Sequence, residues 1–357
     1  MAPYVPGKPI GEVKRELGLT EVVKLASNEN PLGPSPLAVA AVKQAAEQMH
    51  FYPDASGFEL RVAIAEFLSV DPSMVMLGNG SDELIGSLGL IYLEPGDNIV
   101  TGTPTFVRYD AAAEISGTEH RRIPLDSGWR HDLSAMAAAC DERTKLVFLA
   151  NPHNPTGTVV THSEVAAFLE QLPKGAVCVL DQAYFEFTAG MNDRLDAVAL
   201  LKSGAKVVAL RTLSKAYGLA GIRVGYGVAS PEIVAAVDRV RAPFNVNALA
   251  QAAAVAALND RDHLKAGVEL NTAALAEFSR QMTEWGLVTV PSGGNFACVA
   301  VDWDADEVFR ALLKEGVIVR SGNPLGMPGF IRVSMGTPAE MAKFYAAFAG
   351  VMGLPNP

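Results

Sequence analysis

KVVALRTLSKAYGLAGIRVG, residues 206–225, runs from a stretch of apolar residues into a loop of small ones that carries a single lysine, Lys215, and then one arginine, Arg223. The first six residues, 206–211, read as a strand buried on both faces, the kind found in a parallel sheet covered by helices. Four other short runs have the same character: VMLG (75–78), NIVTG (98–102), KLVFLA (145–150) and AVCVLD (176–181). Longer helical patterns separate them, among them SDELIGSLGLIYL and THSEVAAFLEQL, each with Ser, Thr or Asp at its start as a cap. Alternation of this kind predicts an α/β layer architecture with a mostly parallel sheet.

Composition limits what such a chain can do. With 357 residues, 49% hydrophobic and 19% charged, it has enough apolar surface for a large core plus a smaller one. The formal net charge of −10 lacks the basic footprint of a nucleic-acid binder. Cys140, Cys178 and Cys298 are too few and too scattered for a disulfide framework or a metal knuckle, which points to a reducing compartment. The N-terminus shows no basic-then-apolar signal pattern, and no apolar run approaches the ~18 residues of a membrane span. A cytoplasmic protein is the expectation. After residue 245 the pattern changes to a long helical stretch followed by the shorter strands in VTVPSGGNFACVAVD and GVIVRSG, with a last helix from Pro338. The expected division is an N-terminal segment 1–27 packing near the small domain, a large domain 28–245 and a small C-terminal domain 246–357.

In open α/β sheets, ligands sit beyond the carboxyl ends of the strands. After VMLG comes GNGSDE, where a glycine turn opens a helix and leaves N–H groups near Ser81 and Asp82 for an anion. A dinucleotide fingerprint would need glycine at 83, where Glu83 stands, so a nicotinamide dehydrogenase is disfavoured. After KLVFLA comes NPHNPTG, whose prolines stiffen the turn that presents Asn154. After AVCVL comes Asp181, a carboxylate at the end of a buried strand and in need of a cationic or hydrogen-bonding partner. Lys215 follows the fourth such strand. A desolvated lysine near other cations loses proton affinity, and its amine becomes a nucleophile toward an aldehyde.

Asn154, Asp181, Lys215 and Arg223, in that order and at these spacings, resemble the fold-type-I pyridoxal-phosphate enzymes of the aspartate aminotransferase superfamily. The resemblance runs over nearly the whole chain and implies a large domain and a smaller α/β C-terminal domain. It implies pyridoxal 5'-phosphate joined to Lys215 as a Schiff base, with Asp181 opposite the pyridinium nitrogen and Asn154 and Tyr184 at the ring's 3-oxygen. Lys215 would also be the proton carrier. Ser81, Asp82, Thr212, Ser214 and Arg223 would hold the phosphate, and Phe106 would stack on the ring. Tyr52, in FYPDASG, matches a tyrosine that reaches the phosphate of the neighbouring subunit, which implies a homodimer with shared sites.

PYVPGKP, KLASNENPLGPSP, DQAYFEF, RTLSKAYGLAGIRVGY and GFIRVSMGT are most similar to the histidinol-phosphate aminotransferase branch. That likeness implies transfer of an amino group between L-histidinol phosphate and 2-oxoglutarate, with Tyr4, Asn154, Asn295, Arg320 and Arg332 as substrate contacts. His153 replaces a more usual Asn, and Phe106 lacks the hydroxyl of a relative's tyrosine. Phenylalanine and other aromatic amino acids are alternative substrates, and decarboxylation of threonine phosphate is an alternative reaction. A sensor domain of a regulator would require an attached DNA-binding domain or a lost lysine, and the chain shows neither.

Overall fold

A computed structural model describes residues 8–356. In chain order the strands are β1 (Val23–Lys24), β2 (Val75–Gly78), β3 (Asn98–Thr103), β4 (Glu119–Pro124), β5 (Thr144–Ala150), β6 (Val177–Asp181), β7 (Val207–Thr212), β8 (Gly225–Val228), β9 (Thr289–Val290), β10 (Phe296–Ala300), β11 (Val317–Ile318), β12 (Arg320–Ser321) and β13 (Phe330–Ser334). Seven of them form one sheet in the order β2-β8-β7-β6-β5-β3-β4. Its centre is parallel, β3 with β5, β5 with β6 and β6 with β7, and these pairs carry the apolar runs read from the sequence. Val147, Phe148, Leu149, Val179 and Leu180 are all fully buried, which is why the runs do not alternate.

The two strands of this sheet absent from the sequence reading sit where a different rule applies. β4 has the sequence EHRRIP and lies at the sheet edge, where charge keeps an open strand from pairing with another chain. β8 is short, carries two glycines and runs antiparallel to both β2 and β7. It returns the chain directly after Arg223, so the Lys215 loop joins neighbouring antiparallel strands rather than crossing over the sheet.

The helix Ser81–Tyr92 begins one residue earlier than its hydroxyl suggested: the cap is Gly80, at φ 76°, and Ser81 is already inside the first turn. The helix His162–Leu169 has the capping box expected of THSE, with Thr161 and Glu164 satisfying each other's backbone N–H.

The long C-terminal helical stretch is two helices, Ala248–Asn259 and Arg261–Glu284, broken at Asp260, whose side chain accepts the His263 N–H and caps the second. The division expected after residue 245 falls before the first of these. That helix puts Ala250, Ala253, Ala254 and Ala257 into the core of the seven-stranded sheet, against the helices Pro36–Ala45 and Phe58–Leu68. A second, antiparallel sheet, β12-β13-β10-β9, has its own core with Phe344, Phe348, Val308 and Leu312 from the helices Pro338–Met352 and Ala305–Lys314. The N-terminal chain reaches this part through β1, which pairs in parallel with β11. Among the described residues, no helix is long and apolar enough to cross a membrane.

Candidate active site

Where the carboxyl ends of β5, β6 and β7 meet strands β12 and β13 there is a cleft of about 440 Å³. Asp181, the last residue of β6, lies at its floor and is 6% exposed. One carboxylate oxygen accepts the Tyr109 hydroxyl at 2.7 Å and the other accepts the Ala183 N–H at 3.2 Å. Burial pushes its pKa above the usual carboxylate range, and these two bonds and the nearby Lys215 only partly oppose that shift. A carboxylate held this way is best matched by a cation in the cleft.

Lys215 faces the same space. Its Nζ donates to the Ser27 carbonyl at 2.9 Å. Burial, helped by the Arg332 and Arg223 guanidiniums and opposed by Glu29, brings its pKa down to about 8. The amine is therefore far closer to its neutral, nucleophilic form at physiological pH than an exposed lysine is.

The third wall is an anion site. Arg223, itself at φ 62°, donates from Nη1 to Ser214 Oγ and to the Ala220 carbonyl, both at 3.2 Å. Thr212 Oγ1 donates to the same Ser214 oxygen at 3.0 Å. A Cβ on Gly80 would stand 2.5 Å from Arg223 Nη2, so glycine is what lets the guanidinium lie against the start of the helix at Ser81. The Asp82 carboxylate turns aside to Arg108, at 2.6 Å. Phe106 borders the cleft beside Tyr109, whose ring in turn stacks on Phe148 at 4.7 Å.

Across the cleft, Arg320 and Arg332 are direct partners in the β12–β13 register. Arg332 is 7% exposed and donates to Asn154 Oδ1 at 2.7 Å and to the Ala26 carbonyl at 3.2 Å. Asn154 and Tyr184 meet at 3.5 Å, amide nitrogen to hydroxyl.

Ser81, Asp82, Phe106, Asn154, Asp181, Tyr184, Thr212, Ser214, Lys215, Arg223, Arg320 and Arg332 thus line one cleft. Three candidates do not. Asn295 is buried behind it, its amide donating to the Asn28 carbonyl at 2.9 Å. Tyr52 is 83% exposed and stacks on Phe244 away from the cleft. Tyr4 lies outside the described residues. The sequence reading missed Tyr109 and Arg108, although both adjoin Phe106 in FVRYD, and Ser27 and Asn28 in the KLASNENP stretch. An anion end, a buried carboxylate and a lysine of lowered proton affinity between them form a donor set that fits pyridoxal phosphate, with its phosphate, ring nitrogen and aldehyde.

Comparison with known proteins agrees with this donor set. The family model for aminotransferase class I and II matches residues 20–348. The histidinol-phosphate aminotransferase of Moorella thermoacetica is 47% identical over 351 residues, covering 98% of this chain and 90% of the relative. That of Brevibacillus brevis is 45% identical over 349 residues, covering 98% and 95%. The crystal structure of the Sinorhizobium meliloti histidinol-phosphate aminotransferase in complex with pyridoxal-5'-phosphate superposes with a TM-score of 0.88 at 31% identity, covering 98% of this chain and 95% of that one.

Proposed function

This chain belongs to the class I and II aminotransferase family, a pyridoxal-phosphate-dependent transaminase, and we propose that it exchanges the amino group between L-histidinol phosphate and 2-oxoglutarate. The products would be imidazole acetol phosphate and L-glutamate, a step of histidine biosynthesis. The observation that carries this reading is the facing pair Arg320 and Arg332 opposite Lys215 and Asp181. One arginine suffices for a carboxylate. A phosphate ester carries more charge and more acceptor oxygens, and two planar guanidiniums suit it.

Pyridoxal phosphate, when bound, supplies the electron sink that acidifies the amine-bearing carbon of the substrate. The Asp181 carboxylate favours a protonated ring nitrogen. Asn154 and Tyr184 would hold the 3-oxygen, Phe106 would pack on the ring face, and the N–H groups at Ser81 and Asp82 would hold the phosphate with Thr212, Ser214 and Arg223. Lys215 would hold the aldehyde carbon. Freed by the substrate amine, its Nζ would take the proton from the amine-bearing carbon as general base and deliver it, as general acid, to the carbon that had carried the aldehyde. Arg332 receives the glutamate carboxylate in one half-reaction and, together with Arg320, the substrate phosphate in the other. Asn154 and Tyr4 complete the substrate contacts, while Asn295 acts one step back by holding the 28–29 backbone.

The exposed Tyr52, stacked on Phe244 in a stretch of chain where Met49, Phe51 and Phe58 are exposed too, supports a homodimer in which it completes the neighbour's phosphate site. All three cysteines are free, in keeping with a cytoplasmic enzyme. Single-turnover spectra of the purified holoenzyme with histidinol phosphate, phenylalanine and threonine phosphate test the reading. Fast conversion of the absorbance near 420 nm by histidinol phosphate alone is the expected result. Preference for phenylalanine would move the chain to the aromatic aminotransferases, and carbon dioxide release from threonine phosphate would make it a decarboxylase.

A further inference from the structure

Arg332 and Ser334 are two residues apart on β13, so both side chains leave the same face of the strand. Each reaches the Tyr184 hydroxyl through one asparagine. In the first arm, Arg332 Nη1 donates to Asn154 Oδ1 at 2.7 Å, which fixes the amide so that its Nδ2 faces Tyr184 at 3.5 Å. In the second, Ser334 Oγ donates to Asn28 Oδ1 at 2.8 Å, and Asn28 Nδ2 donates to the Tyr184 hydroxyl at 2.9 Å. The Asn28 backbone N–H returns to Ser334 Oγ at 2.9 Å and closes a ring. Asn28 and Ser334 are 1% and 3% exposed. Asn28 also stands at φ 56°, a left-handed conformation that glycine would adopt freely. A side chain kept at such a position, with both ends of its carboxamide engaged, points to work done by the carboxamide.

The two arms respond differently to a substrate. An anion arriving at Arg332 competes with Asn154 Oδ1 for the same guanidinium, and an ionised acceptor outcompetes a neutral amide oxygen. The Asn154 amide is then no longer held. Nothing in the Asn28 arm binds an anion, so that arm survives. We propose that Asn28 and Ser334 are positioning residues that keep an amide donor on the Tyr184 oxygen, with its phenol proton turned away toward the cleft, while the substrate anion takes over the Arg332 arm. The proposal rests on the reading of Tyr184 as a contact to the cofactor ring.

Asn28→Gly is the decisive variant, because glycine keeps the backbone at positive φ and removes only the carboxamide. Ser334→Ala cuts the same arm at its other end and leaves Asn28 in place. Pyridoxal-phosphate affinity is measured by equilibrium titration of the apo form for both variants, alone and combined with Tyr184→Phe, alongside thermal melting and steady-state kinetics. Asn28→Gly should weaken cofactor affinity about threefold to tenfold, the ordinary worth of one hydrogen bond. It should lower kcat more than it alters the KM for histidinol phosphate, since Arg332 is untouched. Ser334→Ala should act in the same direction and less. In the Tyr184→Phe background neither should weaken cofactor binding further, because residues acting through one hydroxyl are not additive. Equal losses in both backgrounds, or a variant whose affinity and kinetics match the parent, would overturn the proposal. A parent chain that bound no pyridoxal phosphate would sink the functional reading itself, a result distinguishable from either.

Discussion

The two sides of the cleft are built on opposite plans. On the large-sheet side, Asp181, Thr212, Ser214, Lys215 and Arg223 sit at or just beyond the ends of adjacent strands, and Thr212, Ser214 and Arg223 are bonded to one another. Its geometry is settled before any ligand arrives. On the small-sheet side, Arg332 is held by residues of other parts of the chain, Asn154 and Ala26, and Arg320 lies beside it on a two-residue strand. The first side has the rigidity that bond-making chemistry needs, while the second leans across the cleft and can exchange partners. Fixed chemistry and adjustable recognition are thereby separated in space, as the proposed service of Arg332 to two different anions in turn would require.

The largest effect should come from the fixed side. Lys215→Ala removes nucleophile and proton carrier together, so transamination should fall by at least the 10²–10⁴-fold ascribed to general acid–base catalysis. Asp181 and the anion site remain, so pyridoxal phosphate should still bind without a covalent link. Borohydride treatment should then leave the cofactor dialysable; reduction onto one specific lysine of the variant would show that the wrong residue had been chosen.

A second experiment asks whether the fixed side is complete within one subunit. Subunits carrying Tyr52→Phe are mixed with subunits carrying Lys215→Ala. If Tyr52 serves the neighbour, each hybrid dimer holds one intact site and one doubly impaired site, and activity should rise above that of either parent. No recovery after verified subunit exchange would mean self-contained sites.

The adjustable side should give a smaller and more selective loss. Arg320→Lys keeps the charge but not the planar fork, and should reduce kcat/KM for histidinol phosphate by about 1.5–3 kcal/mol, roughly 10- to 150-fold. Phenylalanine, whose singly charged carboxylate needs only one arginine, should lose much less. Equal losses would assign Arg320 to the scaffold, and the contrast between the two sides would weaken.

The smallest effect is a slope. The Lys215 amine in the folded chain sheds its proton near pH 8, whereas in the unfolded chain it keeps it to about 10.5. Between those values the unfolded chain binds more protons, so this residue makes the stability of the apo form rise with pH in that window, and below it the buried charge is a constant cost. Denaturant titrations from pH 7.5 to 10.5 should show Lys215→Met with a less positive slope than the parent. Parallel slopes would mean that the amine is not desolvated.

Legibility in the sequence follows the same contrast. The buried strands β5, β6 and β7 declared themselves through unbroken apolar runs, and the residues just after them could be picked out because strand ends face the cleft. β4 escaped because an edge strand carries charge, and β8 because two glycines in four residues carry no pattern. Tyr109 escaped because its tie to Asp181 joins positions 72 residues apart, and nothing local marks a buried phenol as a hydrogen-bond donor. Asn28 is harder still: its role depends on a positive φ and on Ser334, 306 residues away. Asn295 was expected as a contact, and its amide donates instead to the 28–29 backbone, since sequence shows which residues neighbour a site but not which way an amide turns.

Residues 213–224 are tied at the neck by the Leu213 N–H to the Val224 carbonyl at 3.1 Å, and inside by Gly218 to Lys215 and Leu219 to Leu213. Arg223 closes back on Ala220 and Ser214. Such a loop behaves as a cassette whose shape is internal to it, and it should survive transplantation between relatives as a single exchangeable part. Outside the loop, Asn30 and Asn247 donate to the Ala216 and Ile222 carbonyls, and the tightest fit is at Gly218, where any Cβ would come within 2.2 Å of the Gly33 carbonyl. An exchange that carried Gly218 and kept the 33–34 backbone would seat the cassette; one that put alanine there would jam it, and the lysine and the arginine would be lost to the cleft together.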